Sequence, residues 1–170
     1  VQMYWNENDG KINALSGIFP SWTDTTSTQA WSQLLYPYVK TTKIYVEPGR
    51  PPWMPELPVS YYFNLLPFYV DAGSPGAGSY AIESQSIDNP LAFILMSEDL
   101  WVGPQQEIDP TNETGDGTGF SGSSTNYPPI HAGFANFLFA DGHVAAFNKY
   151  NANQMTYWFD DMANWQLDHP

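Results

Sequence analysis

The chain has 170 residues, enough for one domain with a real core and short for two. A net charge of −13 repels phosphate backbones and anionic lipid surfaces, which sets nucleic acid aside as a partner, while 42% hydrophobic and 16% aromatic residues exclude a disordered acidic chain. The absence of Cys removes disulfides, thiolate metal sites and Cys nucleophiles, and thirteen Gly with fifteen Pro argue against a helical bundle.

Residues 1 to 8 place Val1, Tyr4 and Trp5 at helical spacing before Asn8-Asp9-Gly10, which predicts the last turns of a helix with Gly10 as its stop. Opening on Val1, inside a helix, the chain is expected to be a trimmed part of a longer product. Thr26 and Gln29 have capping-box spacing before Trp31, Leu34, Leu35 and Tyr38, predicting a second helix that Pro37 ends near Tyr36. Lys43 to Val46, β-branched and aromatic, reads as a short strand, and five prolines from Pro48 to Pro58 read as an extended surface loop.

Val59 to Phe63 is strand-like, and residues 73 to 78 form a Gly/Ser/Pro turn region. Leu91 to Met96 is the longest apolar run, expected as a central strand buried on both faces. Residues 103 to 129 are polar and aperiodic, a long functional or mobile loop. Asp141-Gly142 between the apolar runs 134 to 140 and 143 to 147 predicts a hairpin with a two-residue type I′ turn, in which Phe139 faces Val144 and Leu138 faces Ala145. A short closing helix over Asn151 to Trp158 and an acidic tail from Asp160 complete one domain, 1 to 170, with an α+β pattern.

The hairpin carries a further spacing: His131, nine residues, then Asp141-Gly142, within Phe139-Ala140-Asp141-Gly142-His143. This resembles the C-terminal signature of bacterial pilin-like proteins with a His-x9-Asp-Gly domain, the pseudopilins of the type II secretion and type IV pilus superfamily. Tyr4 through Gly10 is similar to that family's helix exit, Trp31 through Lys40 to its Trp-x-x-Leu-x-Pro-Tyr-Val stretch, Ser60 through Asn64 to its Ser-Tyr-x-x-Asn, and Asn89-Pro90 through Glu98 to its strand that follows a Pro and ends in Glu. The matches run from about residue 4 to 149. One departure is that the family's Cys-Pro falls where this chain has Glu47-Pro48.

The resemblance implies a pilin-like head: a truncated N-terminal helix packed on a small antiparallel sheet with long loops. It implies a structural subunit, not an enzyme, that forms filaments with identical or related subunits. It also implies a periplasmic or cell-surface location, with an inner-membrane anchor, before assembly, through a helix upstream of Val1. The alternative from another class is a secreted carbohydrate-binding β-sandwich, in which Trp22, Trp53, Trp101 and Trp165 stack on sugar rings, although such rings more often anchor local packing.

His131, His143 and Asp141 have the residue types of a transition-metal or general acid/base site. The plainer reading makes His131, Asp141, Gly142 and His143 a structural motif of the turn and its flanks. Residues 107 to 117 gather oxygen donors, and Asp109, Asn112, Glu113 and Asp116 are the candidate ligands for calcium, the one cofactor the resemblance favours, against an ordinary solvated acidic loop.

Overall fold

The computed structural model describes residues 1–13, 22, 30–49, 59–64, 81–98, 106–107, 131–148, 151 and 153–157. The fold is mixed α+β. Helix α1 (Gln2–Glu7) leads into β1 (Lys11–Asn13); α2 (Trp31–Val39) and a 3-10 turn (Lys43–Tyr45) precede β2 (Tyr61–Asn64) and β3 (Ala81–Glu83). A second 3-10 turn (Ser84–Ser86) is followed by β4 (Ile94–Glu98), β5 (Gln106–Glu107), β6 (Ala135–Phe139) and β7 (Val144–Phe147). Strands β1 and β3 form a small sheet, and the main sheet has the order β5-β2-β4-β6-β7, antiparallel except for the β2–β5 pair.

Helix α1 ends as its sequence demands. Asp9 and Gly10 both take positive φ, the Gly10 N–H returns to the Trp5 carbonyl at 2.8 Å, and a Cβ on Gly10 would lie 2.7 Å from Ser84 Oγ. The left-handed φ favours glycine here, while the approach to the Ser84 hydroxyl is one that a side-chain rotation relieves. Tyr4 and Trp5 then enter a core with Trp31, Leu35, Phe63, Phe93 and Leu95, which glues both helices to one face of the main sheet. Ile94, Ala135, Phe137 and Phe139 turn to the opposite face and meet Met155 and Tyr157. As expected of a two-sided apolar run, β4 is the central strand.

Several expectations are corrected. Pro37 does not end α2 near Tyr36; the helix runs to Val39 and closes on Lys40 in the left-handed conformation, its N–H on the Tyr36 carbonyl. A proline in the last turn removes only the bond to Gln33, and the buried Trp31 and Leu35 hold the helix in place. The helix is capped at Ala30, whose N–H donates to Gln33 Oε1 at 2.8 Å, while Thr26 and Gln29 lie outside the described residues. Lys43 to Tyr45 is a 3-10 turn, not a strand, because Tyr45 is drawn in between Trp22 and Trp31 and its carbonyl accepts the Ser60 N–H at 2.7 Å.

The hairpin forms, in a register one step from the expected one: Leu138 opposes Val144 and Phe137 opposes Ala145. Only Gly142 of the Asp-Gly pair has positive φ, and Phe139 and Gly142 bond across the turn. The loop is therefore the three-residue kind, Ala140-Asp141-Gly142, and not type I′. In place of a closing helix, the described part of 151 to 157 makes a turn and then a bridge in which Thr156 bonds Ala92 and Ile94. Among the described residues, helices and not a second large sheet lie against one face of the main sheet, an arrangement different from a β-sandwich. The Pro48 to Pro58 loop beyond Gly49, the 73 to 78 turn region and the acidic tail lie outside the described residues.

Candidate functional site

The alternation of β4 is broken by a register shift between Ile94 and Met96. Ile94 belongs to the core on the opposite face with Met155 and Tyr157, whereas Leu95 and Met96 both contact the helix-side core. A bulge of this kind re-aims every residue after it. Glu98 is thereby turned to the helix side, beside Asn136 of β6, whose amide donates to Glu98 Oε1. Regular alternation would have put Glu98 on the other face, with Ile94.

Glu47 arrives at the same place from the loop after the 3-10 turn. Its Oε1 accepts the Gly49 N–H at 2.8 Å and its Oε2 accepts the Tyr61 hydroxyl at 3.1 Å. His131 arrives from just before β6, held by a tight turn in which Ala132 and Gly133 take positive φ and the Phe134 N–H donates to the His131 carbonyl. Its Nε2 stands 3.0 Å from Glu98 Oε1 and 3.5 Å from Glu47 Oε1. One donor atom from each of the three side chains lies within 4.8 Å of the others.

The cluster is inside the protein. Glu47 and Glu98 are 5% and 2% exposed, and the His131 side chain, 37% exposed, keeps its Nε2 buried. That nitrogen makes no hydrogen bond among the described residues, although two carboxylate oxygens stand within 3.5 Å of it. Burial pushes the Glu98 carboxyl above its ordinary value, opposed but not cancelled by the Asn136 hydrogen bonds and the His131 ring. Burial, followed by the charge and hydrogen bond of Glu47, likewise drives the Tyr61 phenol far up. No Lys or Arg pairs with either carboxylate among the described residues. Both glutamates also line a groove of about 580 Å³ whose other walls are largely apolar, Trp31, Leu35, Met96 and Leu138 among them.

Of the residues singled out in the sequence, the structure brings His131 to this cluster and leaves Asp141, Gly142 and His143 at the hairpin turn. There Asp141 Oδ1 accepts the His143 N–H at 3.1 Å and stands 2.6 Å from His143 Nδ1, and the His143 ring stacks on Phe139. A single His131–Asp141–His143 site does not form. Asp109, Asn112, Glu113 and Asp116 lie outside the described residues, as do Trp53, Trp101 and Trp165. Trp22 packs on Tyr36 and Tyr45, with ring centroids 5.4 and 4.9 Å away. Glu47 and Glu98 were missed as site residues. Each had a signal in the resemblance: Glu47 stands where the resembled family carries Cys, and Glu98 stands where that family's strand after a Pro ends in Glu.

No helix among the described residues is long and apolar enough to cross a membrane. No family model, no curated protein and no solved structure matches this chain.

Proposed function

We propose that the chain is the head of a pilin-like filament subunit of the type II secretion and type IV pilus superfamily, working by polymerisation and not by catalysis. The observation that carries this reading is the position of α1: the first residues are helical, and Tyr4 and Trp5 fasten that helix to the same sheet face as α2. A helix so attached can lead from a filament core to an outward-facing head. The ordered motif set from Tyr4 to the Asp141-Gly142 turn supports the same reading. Partners are identical or related subunits, joined head to tail in an open helical array. The location is the periplasm or cell surface, with an inner-membrane anchor before assembly. Met3, 61% exposed on α1, offers an apolar contact to a neighbour.

The test is immunogold electron microscopy of sheared cell-surface fractions and of thin-sectioned cells, which also show the periplasm, with antibodies raised against this chain. Labelled filaments are the expected result. Recovery of the protein only as a soluble, unassembled species, with no labelled filament under any growth condition that expresses it, would overturn the reading.

A further inference from the structure

We propose that Glu47, Glu98 and His131 bind a divalent first-row transition ion, with zinc as its reference member, through one oxygen of each carboxylate and Nε2 of the imidazole. This goes beyond a filament role and does not depend on it. Three features of the cluster have one explanation in ligation.

The first is distance. An ion with bonds of about 2.1 Å holds its neighbouring ligands about 3.0 Å apart in an octahedron and about 3.4 Å apart in a tetrahedron. The observed separations from His131 Nε2 to the two glutamate oxygens are 3.0 and 3.5 Å. The second is direction. Adjacent ligands of one ion stand off each other's metal axis, which is how Nε2 comes to lie within reach of two carboxylates and yet hydrogen-bond to neither. The third is charge. Two nearly buried carboxylates share one histidine and no Lys or Arg among the described residues, and an ion of charge +2 supplies what buried carboxylates otherwise lack.

The surrounding groups hold the ligands in place. Gly49 N–H and Tyr61 OH donate to Glu47, and Asn136 donates to Glu98, the outer-shell pattern that orients ligating carboxylates. A Cβ at position 49 would stand 3.2 Å from Glu47 Oε1 and 3.4 Å from His131 Cε1, so glycine lets the loop close over the pair. The donor set fixes the ion class. One imidazole with two carboxylates suits zinc, manganese or ferrous iron, whereas calcium takes six to eight oxygens. Three protein ligands leave at least one coordination position, which water would fill.

The test uses the 170-residue chain, treated with chelator and dialysed, in calorimetric titrations and thermal melts with zinc, manganese, calcium and magnesium chlorides at matched ionic strength. One zinc per chain and a zinc-dependent rise in Tm are expected, with calcium and magnesium much weaker. His131→Asn and Glu98→Gln, each close in size to the native side chain, should weaken zinc binding more than about 100-fold, since even outer-shell changes cost 10- to 100-fold. Circular dichroism of each metal-free variant checks that it is folded. If both variants are unfolded, Glu47→Gln, on a loop outside the sheet, serves in their place. A variant in which His143 and His169 are both Asn should bind zinc as the native chain does. Equal affinity in the native chain and His131→Asn, equal Tm rises with zinc and magnesium, or an anomalous-scattering map of a zinc-soaked crystal with no peak between the three side chains would each overturn the proposal.

Discussion

The side-chain amide of Gln2 donates to the carbonyl of Ala140 at 2.6 Å, joining the first turn of α1 to the tip of the β6–β7 hairpin. The two residues are 138 apart in sequence, so this bond ties the N-terminal helix to the β6–β7 hairpin. Ala140 is itself fixed by its N–H on the Phe93 carbonyl, and the neighbouring Asp141 N–H reaches the Pro90 carbonyl. The hairpin tip is therefore a joint between helix, central strand and turn.

Replacing Gln2 by Ala should cost about 1 kcal/mol, the net worth of a partly buried hydrogen bond. Urea unfolding of the two proteins checks it: the midpoint should fall with an unchanged slope. No change in midpoint would mean that water replaces the amide without loss.

Gly142 takes φ +97 at the end of the three-residue loop. Gly142→Val should destabilise by about 1 to 3 kcal/mol from backbone strain, because the nearest atoms to an added Cβ, on Gln2, are 3.8 Å away and do not clash. Asp141→Asn should be mild, since an amide oxygen also accepts the His143 N–H. Thermal melts rank the two. A larger loss for Asp141→Asn would show that the carboxylate charge, and not the turn, carries the stability.

These tips show what the sequence reveals and what it hides. The apolar run at 91 to 96 announces a strand buried on both faces, and Gly10 announces the helix exit, because each rests on local chemistry. The hairpin is legible too, but Asp-Gly is compatible with a two-residue or a three-residue loop, and neighbouring apolar residues on both strands do not choose the register. The buried cluster is harder. Its three members come from a loop after a 3-10 turn, the end of a bulged strand and a tight turn, and the bulge between Ile94 and Met96 that aims Glu98 has no local marker. Tyr45 shows the same limit: a strand-forming residue became part of a 3-10 turn because a cage of Trp rings outweighed propensity.

Asn64 is fully buried at the end of β2, where its amide donates to the carbonyls of Ile94 at 2.9 Å and Tyr157 at 2.8 Å. It links the central strand to the C-terminal segment under the sheet. Asn64→Ala leaves two buried carbonyls short of a donor and opens a cavity, at a cost of about 3 kcal/mol. Asn64→Asp should be worse at neutral pH, where a carboxylate facing two carbonyl oxygens adds repulsion. Guanidinium unfolding curves at pH 7 and pH 4 separate the effects: the Asp variant should recover part of its loss at pH 4, and the Ala variant should not.

Tyr45 is buried among Trp22, Trp31 and Tyr36, and its hydroxyl has no hydrogen-bond partner among the described residues. A buried hydroxyl without a partner costs about 1 to 3 kcal/mol, so Tyr45→Phe, which keeps the ring and its contacts, should raise Tm. Burial, reinforced by Tyr36, also pushes the phenol far above its ordinary value of about 10. The sign of the pH effect follows. Because the folded value is raised, the unfolded chain releases this proton first, so stability is kept below pH 10 or so and falls as pH climbs above it. Tyr61 behaves in the same way. Melts from pH 8 to 11.5 should therefore show a steep alkaline loss in the native protein and a shallower one in Tyr45→Phe, the gap between the two curves widening above about pH 10. Parallel curves, or a lower Tm for Tyr45→Phe at pH 8, would mean that the hydroxyl has a partner and that its solvation is not the cost assigned to it.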